Sequence, residues 1–229
     1  MAGKIGSIVD RQHSVACSGD RTFAFEPRRS ALIVIDMQRD FLDPNGWCAA
    51  IYGEPEAMRA IIPRVAALTT LMRDAGCTII HTREGYAPDL SDVHPVKAER
   101  AVVGEPGPLG RFLIRGEPGH DFVEELRPRS GEAVIDKPGF GAFYRTNLAA
   151  RLETAGITHL ILAGITTQCC VQSTLREAVD RGHWCLTVAD CCAALDRAWH
   201  DAAIALIASE NHLFGWVSTL ADVRAALEG

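Results

Sequence analysis

Six short, largely apolar runs recur along the chain, separated by stretches with helical periodicity. They are ALIVID (31–36), CTIIHT (77–82), EAVIDK (132–137), THLILAGI (158–165), HWCLTVAD (183–190) and FGWVST (214–219). Short runs that stay apolar on successive positions are typical of strands buried on both faces of a parallel sheet. The pattern therefore predicts strands in these places.

Helical periodicity fills most of the intervals between these runs. It predicts helices at about 55–75, 146–156, 169–181 and 198–209, and a final helix in LADVRAALEG. Alternating strands and helices favour right-handed crossovers and a parallel sheet covered on both faces. The sequence thus predicts an α/β fold.

The remaining segments set the domain organisation. Residues 1–30 are polar and predict an irregular N-terminal arm, and residues 31–229 predict a single domain. The Asp-Pro-Asn-Gly turn in MQRDFLDPNGW predicts a loop after the first strand. Residues 83–130 form a long insertion rich in Gly and Pro. Insertions of this length in a compact domain are usually functional or interfacial.

Composition and charge narrow the classes of partner. The 229 residues are 48% hydrophobic and carry a formal net charge of −6. A negative chain without a Lys/Arg cluster repels phosphate backbones, so we expect no nucleic-acid partner. Because no apolar run reaches about 18 residues and no secretory signal is evident, we expect no membrane partner and a cytoplasmic location. In such a protein the eight cysteines are expected to be free thiols.

Three reactive residue types follow predicted strands. Asp36 ends the first strand, Lys137 ends the third, and Cys169 and Cys170 follow the fourth. In open α/β sheets ligands bind beyond the carboxyl ends of the strands, so these side chains should converge there. Individually they could be a turn-forming acid, a solvated lysine and core thiols. Together they are the components of an activated cysteine nucleophile.

The two adjacent cysteines cannot both face the same way. A thiol at a helix N-terminus is made more acidic by the helix dipole and by unpaired backbone N–H groups, and a nearby lysine adds to this effect. Helical spacing alone does not decide between Cys169 and Cys170 as the nucleophile.

Three blocks resemble the signatures of the isochorismatase-like cysteine hydrolases: ALIVIDMQRDF, VIDKPGFGAFYRTNL and AGITTQCCVQSTLREAVDRG. The resemblance implies a mostly parallel six-stranded sheet in three α/β/α layers and an Asp36–Lys137–Cys170 triad. It selects Cys170 because the cysteine of the family precedes a valine, here Val171. It also implies a cis peptide between Ile165 and Thr166, and an oxyanion hole made by the backbone N–H groups of Thr166 and Cys170.

Departures from neighbouring subfamilies narrow the expected activity. The Asp-x-His metal ligands of nicotinamidases have no counterpart in WCAAIYGEPEAM, so we expect no metal and no cofactor. Isochorismatases proper lack the cysteine. The insertion and IDKPGFGAFY look most like biuret and triuret hydrolases, which implies a cysteine amidohydrolase that releases ammonia from a small ureido compound. Ureidoacrylate and N-carbamoylsarcosine amidohydrolases are the alternatives, and an inactive binding protein or a redox-sensing thiol protein are others.

Candidate substrate-binding side chains lie near predicted strand ends. Each has a structural alternative, as a core aromatic or a solvated residue. The resemblance adds Glu210, at a position where related hydrolases carry a polar, amide-recognising residue. It also implies a homo-oligomer, a dimer or a tetramer, because family members use such insertions at subunit contacts. The substrate-binding candidates are Gln38, Phe41, Arg83, Tyr144 and Glu210.

Overall fold

A six-stranded, entirely parallel sheet forms the centre of the computed structural model, which describes residues 11–53, 55–100 and 102–229. All five strand pairings in the sheet are parallel. The predicted α/β fold is confirmed, and each of the six apolar runs contributes one strand. The strands, in the spatial order β10-β9-β8-β3-β4-β7, are β3 (Ser30–Ile35), β4 (Thr78–Glu84), β7 (Ala133–Lys137), β8 (His159–Ile165), β9 (Trp184–Ala193) and β10 (Trp216–Ser218).

Helices flank this sheet on both faces and connect its strands. The longer ones lie where helical periodicity predicts them. The helices are α1 (Arg39–Leu42), α2 (Trp47–Tyr52), α3 (Glu56–Arg59), α4 (Ile62–Asp74), α5 (Pro95–Arg100), α6 (Leu148–Thr154), α7 (Gln172–Asp180), α8 (Arg197–Ile207) and α9 (Leu220–Glu228). None of the helices in the described part of the chain combines the length and the apolar character needed to cross a bilayer.

The central strand β3 shows why the protein has three layers. All six of its residues are buried. Leu32 and Val34 pack into the core on one face of the sheet, together with α4 and α9. Ile33 and Ile35 point the other way and pack against α6 and α7. Because successive side chains of a strand alternate between faces, a continuously apolar strand requires a cover on both sides.

The N-terminal segment is a β-hairpin, not the irregular arm predicted for residues 1–30. Strands β1 (His13–Cys17) and β2 (Arg21–Phe25) pair antiparallel. Val15, Phe23 and Phe25 are buried in the same core as α4 and α9. Residues 1–10 lie outside the described part of the chain. The alternation of apolar side chains over 13–25 is the signal of a half-buried hairpin that the overall polarity concealed.

Two connections differ in detail from the prediction. The segment after β3, predicted to be a loop, contains α1 and α2. Gly46 lies in the turn between them. A larger residue does not fit there, because its Cβ atom would lie 2.3 Å from the backbone oxygen of Arg39. The helix predicted at 55–75 is interrupted, and α4 starts with Pro63 in its first turn. Proline is tolerated there because the first-turn N–H groups have no partner within the helix.

The insertion is ordered around a hydrophobic cluster of its own. Its strands β5 (Pro106–Gly107) and β6 (Gly110–Arg111) form a short antiparallel pair. Tyr86 is fully buried in this cluster, together with Trp47 and Phe112. The carboxylate of Asp40, in α1, accepts a hydrogen bond from the backbone N–H of Leu113 at 2.8 Å. The insertion is thereby fixed to the edge of the sheet where β3 and β4 end.

We expect Phe25→Ala to lower the free energy of unfolding by about 3–5 kcal/mol, because it leaves a cavity in the core. Phe25 is 1% exposed. Urea denaturation of the variant measures the loss. Thr22→Ala, on the exposed side of the same strand, is the control and should change stability little. Equal stability of the two variants would show that the hairpin does not contribute to the core.

Candidate active site

Four polar or reactive side chains meet at the carboxyl edge of the sheet. Asp36 follows β3, Glu84 ends β4, Lys137 ends β7 and Cys170 lies in the turn after β8. All four are buried, with at most 5% of each exposed. Parallel strands bring their carboxyl ends to one edge, and the structure therefore assembles the three side chains that the sequence predicted and adds a fourth.

Asp36 and Lys137 form a buried ion pair. The Lys137 Nζ atom lies 2.7 Å from Asp36 Oδ2, and the two side chains are 0% and 1% exposed respectively. The hydroxyl of Thr82 donates a hydrogen bond to Asp36 Oδ1 at 2.6 Å. Lys137 Nζ also donates to the backbone oxygen of Gly139 at 2.8 Å. These contacts fix both charged groups with little freedom to move.

Burial sets the acid–base properties of this pair. Burial raises the pKa of Asp36, and the positive charge of Lys137 opposes that rise only in part. For Lys137, burial lowers the pKa, but the charges of Asp36, Cys170 and Glu84 and the hydrogen bond with Asp36 together outweigh this effect, and the net pKa is raised. Lys137 is therefore a fixed positive charge, and Asp36 is a carboxylate able to take up a proton.

Glu84 is the site residue that the sequence analysis missed. Strand β4 runs two residues beyond the predicted CTIIHT segment, so Arg83 and Glu84 belong to it. Their side chains alternate: Arg83 points away and Glu84 points into the site. Glu84 Oε2 accepts a hydrogen bond from the Cys170 thiol at 3.7 Å and lies 3.9 Å from Lys137 Nζ. A strand prediction extended to position 84 would have placed this carboxylate at the strand end.

The insertion supplies the other partners of Glu84. The Tyr86 hydroxyl donates to Glu84 Oε1 at 2.8 Å, and Lys97 of α5 forms an ion pair with the same oxygen. The Lys97 ammonium lies 3.7 Å from the centre of the Phe140 ring. The site therefore contains two carboxylates and two ammonium groups, and its charges balance when the thiol is neutral.

The two adjacent cysteines occupy different environments. Cys170 is buried, faces Glu84 and lies in a π-helical turn, Thr167–Val171. The hydrogen bond with Cys169 and burial raise the pKa of Cys170, while Lys137 opposes them. Cys169 is only partly buried, and the hydrogen bond with Cys170 lowers its pKa. The Asp36 carboxylate lies within 4.8 Å of the Cys170 thiol, and Lys137 stabilises a thiolate there, so the geometry favours Cys170 as the nucleophile.

A small cavity opens onto the two thiols. Its volume is about 250 Å³. Its floor holds Cys170, Cys169 and Thr166, and the peptide bond between Ile165 and Thr166 is cis, which confirms that prediction. Apolar walls surround this floor, and charged side chains stand at one side. The walls are formed by Phe41, Tyr52, Val102, Val103, Phe112, Leu113 and Phe140, and the charged side chains are Glu84, Lys97 and Arg100.

Phe41 lies on the pocket wall, as predicted. Its ring packs edge-on against Phe112, with the ring centres 5.6 Å apart.

Gln38 and Arg83 do not reach the pocket, contrary to their prediction as substrate contacts. Gln38 is fully buried, and its amide binds the backbone N–H and C=O of Glu84 at 2.8 and 3.0 Å. Arg83 pairs with Asp136 at 2.7 Å and with Asp121 at 3.4 Å. Gln38 therefore positions Glu84. Arg83 links β4 to the neighbouring strand β7 and to the insertion.

Tyr144 and Glu210 also lie outside the cavity, and their prediction as substrate contacts is corrected. Tyr144 is 43% exposed and packs beside Gly139. Glu210 is exposed in the turn Ser209–His212, where its φ angle of 49° is left-handed. In both cases proximity to a predicted strand end did not fix the direction of the side chain.

A larger cavity, of about 710 Å³, lies elsewhere and includes Arg73, Glu132, Arg151 and Cys77. Burial raises the pKa of the Cys77 thiol to about 12, so this thiol stays protonated. Burial also raises the pKa of Cys170, but there the positive charge of Lys137 opposes the rise, and the Asp36 carboxylate lies within 4.8 Å of the thiol and can take its proton. We therefore place the chemistry at the smaller cavity.

The site brings together three side chains of the types that bind metal ions. One ligand atom each from Asp36, Glu84 and Cys170 lies within 4.8 Å of the others. The Lys137 ammonium is 2.7 Å from Asp36 and 3.9 Å from Glu84. Because Lys137 and Lys97 already neutralise the two carboxylates and would repel a divalent cation, the donor set fits a metal poorly. The absence of a metal and of a cofactor stays a prediction.

A parallel α/β sheet with a carboxylate, an ammonium and a thiol at its carboxyl edge defines an enzyme class that acts through a cysteine. The isochorismatase domain family matches residues 30–222, and the chain belongs to this family. It is therefore a hydrolase of the isochorismatase-like cysteine hydrolase group.

Solved structures support this assignment. A cysteine hydrolase from Pseudomonas syringae pv. phaseolicola 1448A is 26% identical, with 89% of this chain and 94% of that chain covered and a TM-score of 0.78. An isochorismatase family protein from Burkholderia thailandensis is 27% identical, with 90% and 98% covered and a TM-score of 0.69. N-carbamoylsarcosine amidase from Thermoplasma acidophilum is 24% identical, with 84% of this chain and 96% of that chain covered and a TM-score of 0.61. At that identity the similarity shows a shared fold alone.

We expect Lys137→Met to destabilise the protein by about 3–5 kcal/mol, because it leaves buried carboxylates without a positive partner. Chemical denaturation measures the loss. Arg197→Met is the control: it breaks an exposed pair with Asp201, and such pairs contribute about 0–1 kcal/mol. Adding Asp36→Asn to Lys137→Met should recover part of the stability. A Lys137→Met protein as stable as the control would contradict the argument.

Proposed function

We propose that the protein is a cysteine amidohydrolase that cleaves a C–N bond of a small ureido compound of the biuret or triuret type and releases ammonia. One observation carries this proposal: the buried Asp36–Lys137 pair lies beside the Cys170 thiol at the floor of a small cavity. Such a set can generate a thiolate, stabilise it and return its proton to a leaving nitrogen.

Acylation begins with transfer of the Cys170 proton to Asp36. The raised pKa of Asp36 suits it to this role, and Lys137 stabilises the thiolate. The sulfur attacks the ureido carbonyl, and backbone N–H groups of Thr166 and Cys170 bind the oxyanion. One donor of this kind is typically worth about 3 kcal/mol. The C–N bond breaks as the proton on Asp36 passes to the nitrogen, and ammonia leaves.

Deacylation repeats these steps with water. Asp36 takes a proton from the water as its oxygen attacks the thioester carbonyl. The carbon–sulfur bond then breaks, and the proton returns to the sulfur of Cys170. The apolar cavity walls, Phe41 and Phe112 among them, limit the access of further water. Exclusion of water strengthens the electrostatic interactions on which both half-reactions depend.

A ureido or carbamoyl acid is the alternative substrate class, and a specific observation favours it. Arg100, at the side of the cavity, is exposed and could bind a carboxylate. The structural similarity to N-carbamoylsarcosine amidase is consistent with this alternative. The uncharged biuret and triuret remain the first choice because Lys97 is already paired with Glu84, which leaves the exposed Arg100 to bind a carboxylate. The homo-oligomeric state and the cytoplasmic location remain proposals.

Replacement of each cysteine by serine identifies the nucleophile. Cys170→Ser should lower the rate of ammonia release by more than about 1000-fold, since a hydroxyl is a far weaker nucleophile here. Its melting temperature should stay nearly unchanged. Cys169→Ser should keep most of the activity and serves as the matched control. Ammonia release measures both. The reverse result would assign the chemistry to Cys169.

A substrate panel tests the function itself. We expect ammonia from biuret or triuret at a higher kcat/KM than from ureidoacrylate, N-carbamoylsarcosine or nicotinamide, because the cavity holds a small planar substrate against Cys170. A preference for the carbamoyl acids that is lost in Arg100→Gln would select the alternative. No ammonia from any of the compounds would reject the proposed function.

A further inference from the structure

Glu84 has no role in the mechanism above, yet it is the most completely coordinated carboxylate of the cavity. It is 3% exposed. Its Oε1 atom binds the Tyr86 hydroxyl and Lys97, and Gln38 holds its backbone on both sides. Such extensive support for a buried carboxylate implies that its position matters for function.

The second carboxylate oxygen of Glu84, Oε2, binds the Cys170 thiol. Oε2 accepts the Cys170 S–H at 3.7 Å and lies 3.9 Å from Lys137 Nζ, too far for a hydrogen bond. When the thiol proton leaves, Oε2 loses its donor and faces a negatively charged sulfur. In the empty site Glu84 therefore opposes formation of the thiolate, because like charges repel strongly in a buried environment.

A substrate with the right chemistry removes this opposition. A carbonyl carbon in position for attack lies about 3–3.5 Å from the sulfur. Groups bonded to that carbon are then within reach of an oxygen that is 3.7 Å from the same sulfur. An N–H group there can donate to Oε2 in place of the thiol, whereas an ester oxygen brings no donor.

We propose that Glu84 is a substrate-binding residue whose Oε2 atom accepts a hydrogen bond from an N–H next to the scissile carbonyl, so that the Cys170 thiolate forms readily only when an amide or ureido substrate is bound. The inference deepens the proposed function and rests on it for the identity of the nucleophile. It assigns to Glu84 the recognition that the sequence analysis assigned to Glu210. The substrate class is a primary amide or ureido group, and esters and fully N-substituted amides are disfavoured.

The first experiment measures the thiol without any substrate. Methyl methanethiosulfonate is a suitable probe because it is small and has no N–H group. Its rate of reaction with Cys170 is followed by mass spectrometry, as a function of pH, in a Cys169→Ser background. Glu84→Gln should increase this rate at pH 7 by about tenfold, equivalent to lowering the thiol pKa by about one unit, because the negative charge beside the sulfur is gone.

The second experiment compares an amide with an ester. In Glu84→Gln the amide oxygen should stay with the Tyr86 and Lys97 donors, which puts the NH₂ group where Oε2 accepted the substrate N–H. The substitution should therefore lower kcat/KM for the best ureido substrate by about 100-fold. Hydrolysis of p-nitrophenyl acetate, which has no N–H group, should stay equal or rise. Glu99→Gln removes an exposed charge from α5, the helix that carries Lys97. It is the matched control and should leave the rates of thiol modification, ureido hydrolysis and ester hydrolysis unchanged.

Opposite changes for the thiol and for the amide support the inference. A slower reaction of the thiol in Glu84→Gln would instead make Glu84 the proton acceptor, and an equal loss of amide and ester hydrolysis would make its role structural. Either result overturns the inference. If the wild-type protein hydrolyses no ureido compound, the proposed function fails, while the thiol and ester measurements still test the effect of Glu84 on Cys170.

Discussion

The buried ion pair between Asp36 and Lys137 is the interaction on which the candidate site depends. It joins β3 to β7, which lie on either side of β4 in the sheet. Two charges without water are tolerated only when each is well paired. Thr82, on the strand between them, and the backbone of Gly139 provide the remaining hydrogen bonds. The sheet thus brings a carboxylate and an ammonium together where the Cys170 turn approaches.

Lys97, from the insertion, balances the charge of Glu84 at the carboxyl edge of the sheet. Without Lys97, the two buried carboxylates of the site, Asp36 and Glu84, would share the one buried ammonium of Lys137. Lys97 reaches Glu84 from α5 and lies over Phe140. The hydrophobic cluster around Tyr86 and Trp47 holds this part of the chain in place. A segment predicted to be a long irregular connection therefore contributes part of the cavity wall and the positive charges of Lys97 and Arg100.

The differences between prediction and structure have two physical causes, the direction of side chains near strand ends and the polarity of the N-terminal hairpin. Side chains alternate between the faces of a strand, so choosing a residue one position away selects a side chain on the opposite face. The predicted second strand ended at position 82, and Arg83 was chosen where Glu84 faces the site. Gln38 and Tyr144 lie near strand ends but point elsewhere. The hairpin at 13–25 was missed because the exposed positions of its strands outnumber the buried ones.

The sequence by itself determined the parallel α/β fold and the convergence of Asp36, Lys137 and a cysteine of the 169–170 pair, because buried strands are recognisable from their apolar runs and parallel strands share one carboxyl edge. Resemblance to a family then favoured Cys170. Only the tertiary structure decided that Glu84 receives the thiol hydrogen bond, that Lys97 balances Glu84 and that Glu210 stays in solvent. Those outcomes depend on contacts between residues far apart in the chain, and no local pattern encodes the direction of a side chain at a loop.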